Sequence, residues 1–83
     1  MATILNIEGC RFVVFSHDHR HPPHVHVFVG DCVSKWEFDP LRCVEFSGCS
    51  KADRRKIERL IVQRFVEIKA RWQEEWERRD GLA

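Results

Sequence analysis

The sequence predicts an α+β fold: a small antiparallel sheet of about four strands packed on one long C-terminal helix. Two observations carry this. Up to Phe38, short runs of β-branched and aromatic residues are divided by Glu8-Gly9, Pro22-Pro23 and Gly30-Asp31, the punctuation of strands and turns. From Lys51 to Arg79 there is neither glycine nor proline, and Ile57, Ile61, Phe65, Ile68, Trp72 and Trp76 recur at steps of four and three. That spacing draws one apolar stripe along a helix. Eighty-three residues support a single domain with one modest core. Residues 1–49 form the sheet with its His/Pro loop, and residues 50–80 the helix.

Thr3–Ile7 is a short apolar run closed by Glu8-Gly9, a first strand and a tight turn. Cys10–Phe15 is rich in β-branched and aromatic residues and suits a buried or central strand. Then comes His17-Asp18-His19-Arg20-His21-Pro22-Pro23-His24-Val25-His26-Val27, which contains all five histidines. Before the prolines nothing is apolar, so that part is a loop. After them, histidines alternate with valines, the period-2 pattern of a half-buried strand.

Gly30-Asp31 divides His24–Val29 from Val33–Phe38 and reads as a hairpin turn. If the turn has two residues, Val29 faces Cys32, and the register places His24 opposite Glu37 and His26 opposite Lys35. The odd-numbered valines and Trp36 then share the core face, and the histidines take the other. Asp39-Pro40 ends the fourth strand. Leu41–Phe46 is open between a fifth strand and a linker. Ser50 with Asp53 approximates a capping box at the helix start, and Gly81 is a C-terminal stop.

The helix is long for this sheet. Its 29 residues would span roughly 43 Å, against roughly 20 Å for six-residue strands. The overhang leaves Trp72 and Trp76 beyond the sheet. Val62, Val66 and Ala70 form a second apolar strip beside Arg55 and Arg59. A helix apolar on two sides has two things to pack against, so Val62, Val66, Trp72 and Trp76 are the expected interface. The partner is a second copy in an antiparallel homodimer or a cognate small protein.

Formal net charge is +1, which favours neither a nucleic-acid partner nor its absence. Residues 51–64 nevertheless hold six basic and two acidic side chains, a local +4. Arg54, Arg55 and Arg59 are the expected contacts for nucleic-acid phosphates or an acidic partner. Cys10, Cys32, Cys43 and Cys49 contain no CxxC pair, and no signal peptide precedes them, so free thiols in a reducing cytoplasm are expected. No apolar run approaches the roughly 20 residues of a membrane span.

In order along the chain, a Thr-Ile-Leu start, Arg11-Phe12-Val13-Val14-Phe15-Ser16, Pro22-Pro23-His24-Val25-His26-Val27, a Gly-Asp turn, Lys35-Trp36, Asp39-Pro40 and an Arg/Glu-rich helix resemble family 4160 of the bacterial domains of unknown function. The resemblance covers nearly the whole chain. It implies a gene encoded beside that of a second small protein, in a pair of toxin–antitoxin type. It implies no catalytic residue.

Three functional readings follow. The leading one is a small cytoplasmic protein-binding component of such a two-gene module. The second is a metal-independent ribonuclease using a third-strand histidine: His24 oriented by Glu37, with His26 and Lys35 alongside, is a workable general base. The third is a metal site in which His17, His19 and His21 bend around zinc or nickel. His-x-His on a strand points its rings in parallel rather than at one ion, and no conventional nucleophile or phosphate-loop motif appears, so the enzyme and metal readings rank below protein binding.

Overall fold

One five-stranded sheet and one helical layer account for the architecture. The computed structural model describes residues 2–15 and 23–81, with side chains as far as Arg78. Strands β1 (Ala2–Ile7), β2 (Cys10–Val14), β3 (His24–Val29), β4 (Cys32–Phe38) and β5 (Leu41–Ser47) form one sheet in chain order. Every neighbouring pair is antiparallel. Helices α1 (Lys51–Gln63) and α2 (Phe65–Gly81) follow. The α+β class stands, with five strands rather than four.

The fifth strand is Leu41–Ser47, reached through the two-residue turn Asp39-Pro40. Its alternation is broken by a bulge at Val44: Trp36 lies opposite Cys43, but Lys35 lies opposite Glu45. The extra residue throws later side chains onto faces that simple period-2 counting does not assign. At the other hairpin the counting works. Gly30 and Asp31 are the whole turn, and the pairs run His24 with Glu37, Val25 with Trp36, His26 with Lys35, Val27 with Ser34.

One face of the sheet meets the helices. Phe12, Val14, Val25, Val27, Trp36 and Phe38 pack against Ile57, Leu60, Ile61, Ile68 and Trp72 in one buried cluster. Ser34, buried on this face, is fully used: its hydroxyl donates to the Val27 carbonyl at 3.3 Å and accepts from Trp36 Nε1 at 2.9 Å. The capping box also forms, with Ser50 Oγ accepting from the Asp53 amide and Asp53 Oδ2 accepting from the Ser50 amide, each at 3.0 Å.

The single straight helix does not form. Arg64 leaves helical geometry (φ −117°, ψ 25°). Its amide still donates to Leu60 and its carbonyl still accepts from Ile68, at 2.9 and 2.8 Å. The chain therefore bends there without ending its hydrogen-bonded ladder. The longest dimension of the protein is 39 Å, shorter than the roughly 46 Å of a straight 31-residue helix.

What the bend accomplishes is visible at Trp72, which is 8% exposed. Its Nε1 donates to the His24 carbonyl at 3.1 Å, and its ring meets Phe38 edge-on with centroids 5.9 Å apart. Arg71 reaches the Ile4 carbonyl at 3.2 Å. One residue in a sparsely populated backbone region costs about 1–3 kcal/mol. Covering a tryptophan removes about 150–250 Å² from water, worth about 4–6 kcal/mol, so bending wins. The expected overhang is thus corrected: Trp72 belongs to the core, and Trp76 stacks on it at 5.7 Å.

The expectation of four free thiols is corrected too. Cys32 and Cys49 form a disulfide, leaving Cys10 and Cys43 free. Strand β5 returns the chain to the Gly30-Asp31 turn, which brings residue 49 beside residue 32. Gly48 makes that return close: its φ is +69°, and a Cβ there would stand 2.6 Å from the Asp31 carbonyl oxygen.

Candidate functional site

Two surfaces compete for function, one on each layer. The first is the sheet face turned away from the helices. Cross-strand register places Arg11 beside Phe28, Val13 beside His26, His26 beside Lys35, and His24 beside Glu37. His24, His26, Lys35 and Glu37 are therefore brought to one face on two adjacent strands, as the period-2 pattern requires.

Their environments differ. His24 is only 6% exposed, whereas His26 is half-buried. The two rings lie 5.8 Å apart, and Phe15 abuts His26 edge-on at 4.9 Å. Arg11 sits over the Phe28 ring at 5.4 Å. Glu37 has a partner that sequence reasoning missed: its Oε1 accepts from Arg42 Nε at 2.9 Å. The carboxylate meant to orient His24 is held by β5, whose existence was open from sequence. A shallow concavity of about 320 Å³ opens beside this pair, lined by His26, Val33, Lys35, Glu45 and Ser47. Its accessible imidazole is that of His26.

No thiol is poised as a nucleophile. Burial pushes the Cys10 thiol above its usual value of 9.0, and burial does the same at Cys43. Both are protonated at neutral pH, and the thiolate is the reactive form. His17, His19 and His21, the proposed zinc or nickel ligands, lie outside the described residues. Among the described residues no group of three His, Cys, Asp or Glu side chains is placed to hold a metal ion.

The second surface is the outer side of the helical layer. Its basic residues divide into distinct roles. Arg54 folds down over Phe46 of β5, 4.2 Å from the ring centroid. Arg59 reaches across to Glu8 in the β1–β2 turn at 3.1 Å. Arg55 is exposed. Beyond them stand the largest exposed aliphatic groups of the helices, Val62 at 62% and Val66 at 84% exposure. Open depressions flank this strip, one along Val62–Ala70 and one where Val62 and Phe65 meet the Asp39-Pro40 turn.

Of the expected interface residues, Val62 and Val66 are thus presented outward, while Trp72 and Trp76 are given to the core and its margin. No helix among the described residues is long and apolar enough to cross a membrane.

Fold and surfaces together define a small two-layer α+β domain with an antiparallel meander on one side and a bent, apolar-striped helical layer on the other. Residues 9–73 match the family described as a domain of unknown function, DUF4160, and the chain belongs to that family. Comparison with curated proteins gave no match. Comparison with solved structures gave none either.

Proposed function

We propose that this protein is the protein-binding component of a bacterial two-gene module of toxin–antitoxin type, docking its partner on the outer strip of α1 and α2. The observation that carries the reading is the exposure of Val62 and Val66 side by side on a helix whose opposite stripe is already buried. Two branched aliphatic side chains in water cost free energy that burial recovers, about 1.5–3 kcal/mol for each fully covered group. Ala70 lengthens the strip, and Arg55 and Gln63 edge it with polar groups. An apolar centre with a polar rim is the anatomy of a protein interface.

Cytoplasmic action is part of this reading. The Cys32–Cys49 bridge suits an oxidising compartment better. Thiol trapping in cells tests the location: cytoplasmic action requires alkylation of Cys32 and Cys49, and a bridge that persists overturns that part of the reading.

Co-purification with the product of the adjacent gene tests the function. Val66→Glu is expected to abolish the complex with thermal stability unchanged, and His24→Ala or His26→Ala to leave it intact if the domain stays folded. A complex that survives Val66→Glu contradicts the proposal. A second reading, a metal-independent ribonuclease, is favoured by the concavity that joins His26 to Lys35 and Glu45. It requires RNA cleavage that is lost in His26→Ala with folding retained.

A further inference from the structure

On the sheet face turned away from the helices, three rings lie together on the central strands. Phe15 meets His26 edge-on at 4.9 Å and Phe28 at 6.5 Å. All three are half-buried, so each keeps part of its surface in water. Phe28 stands opposite Val33 of β4, which is exposed. Two cations border this apolar floor. The Arg11 guanidinium lies over the Phe28 ring at 5.4 Å, and Lys35 stands opposite His26. Among the described residues neither Arg11 nor Lys35 forms an ion pair. Two of the three arginines that the sequence marks for phosphate are by contrast engaged, Arg54 over Phe46 and Arg59 with Glu8.

We infer that this face binds single-stranded nucleic acid, with bases on the rings and phosphates at Arg11 and Lys35. Ring faces suit the flat faces of unpaired bases, at about 1–3 kcal/mol per stacked base. Arginine and lysine suit the phosphates that join those bases. A small anion would use the cations alone, and an apolar peptide the rings alone. Strands β2 and β4, which carry the two cations, lie roughly 10 Å apart. Arg11 is level with Phe28 and Lys35 with His26, an offset of two residues along β3, or roughly 7 Å. The ligand would therefore cross β2, β3 and β4 obliquely, placing about two bases over Phe28 and His26. The shallow concavity beside His26 and Lys35 gives the second base a seat. Duplex is excluded, because its bases are already stacked on one another.

Glu37 is neutralised by Arg42, which leaves Glu45, opposite Lys35, as the opposing charge at that end. The inference is independent of the protein-binding reading. Helices α1 and α2 lie behind the sheet, so a protein seated on Val62 and Val66 does not reach this face.

Fluorescence anisotropy of labelled mixed-sequence strands of about 12 nucleotides, one RNA and one DNA, tests this on the full chain. A dissociation constant on the order of 10 µM at low salt is expected. Two phosphate contacts give a slope of about −1.4 in log K against log salt, and Arg11→Gln and Lys35→Gln should each remove about 0.7 of it. Phe28→Leu, which keeps an apolar side chain and loses the ring, should weaken binding about tenfold. Glu45→Gln should strengthen it about twofold. Arg55→Gln, on α1, should change it by less than about twofold.

Binding of either strand upholds the inference. No saturable binding of both strands up to about 1 mM protein overturns it, and so does equal or tighter binding of the matching duplex. Wild-type affinity in a folded Arg11→Gln/Lys35→Gln double variant, or in folded Phe28→Leu, overturns it as well. Circular dichroism melts establish folding, and if Phe28→Leu does not fold, the two salt slopes decide.

Discussion

Trp72→Phe should destabilise the protein by about 2–4 kcal/mol without altering the outer strip. The magnitude comes from two losses. Removing the indole N–H takes away the donor that stands 3.1 Å from the His24 carbonyl, and losing the partner of a buried hydrogen bond costs about 1–3 kcal/mol. The smaller ring also gives up contact with Trp76 and Phe38, whose centroids lie 5.7 and 5.9 Å from that of Trp72. A core shape change of this kind adds about 1 kcal/mol. Urea unfolding followed by circular dichroism reads the difference, with the slope against urea confirming that the same surface is exposed. Val66→Glu is the control, expected within about 0.5 kcal/mol of wild type because it touches no buried group. A loss below about 0.5 kcal/mol for Trp72→Phe would refute the reasoning. It would mean that α2 does not dock on β3 and that the overhanging helix was right.

Two more predictions concern the frame. Gly48→Ala should cost about 1–2 kcal/mol from the left-handed backbone alone, and more from contact with the Asp31 carbonyl, so a midpoint shift in urea equal to that of an ordinary exposed Gly→Ala change contradicts the close approach. Stability should fall as pH rises above about 9. Burial raises the Cys10 thiol above 9.0 in the folded state, so the unfolded chain releases this proton first. The contribution of the neutral thiol is fully present below the unfolded value and is lost as pH climbs through the folded one, with a slope of at most about 1.4 kcal/mol per pH unit for each thiol. The chain contains no tyrosine to obscure this. Urea midpoints from pH 7 to 10.5 check it, and a Cys10→Ala variant with an unchanged alkaline slope would contradict it.

Local rules made much of the fold legible. The register from His24–Glu37 to Val29–Cys32 followed from a two-residue turn, because the side-chain period of a strand permits no other pairing once the turn length is given. The capping box at Ser50 and Asp53 is likewise a matter of three residues. What escaped depended on tertiary contact. Arg64 is a good helix former, so nothing local announces a bend there; the bend exists because Trp72 and Ile68 gain burial by it. Strand β5 carries Arg42 and Glu45 and a bulge at Val44, which hide its alternation. Two consequences of β5 were hidden with it: the hold of Arg42 on Glu37, and the meeting of Cys32 with Cys49, 17 residues apart. The candidate site was legible as residue types on faces. The outward strip of Val62 and Val66 was legible too, whereas the burial of Trp72 was not, because it depends on the bend at Arg64.

The central claim, that partners dock on the outer helical strip and not on the histidine face of the sheet, is tested most directly by nuclear magnetic resonance. Amide and valine methyl shifts of the labelled chain would be followed as the neighbouring gene's product is added. The account predicts the largest changes at Val62, Val66 and Ala70, with His26, Val33 and Lys35 unmoved. Changes centred on His26 and Lys35, with Val62 and Val66 silent, would contradict it.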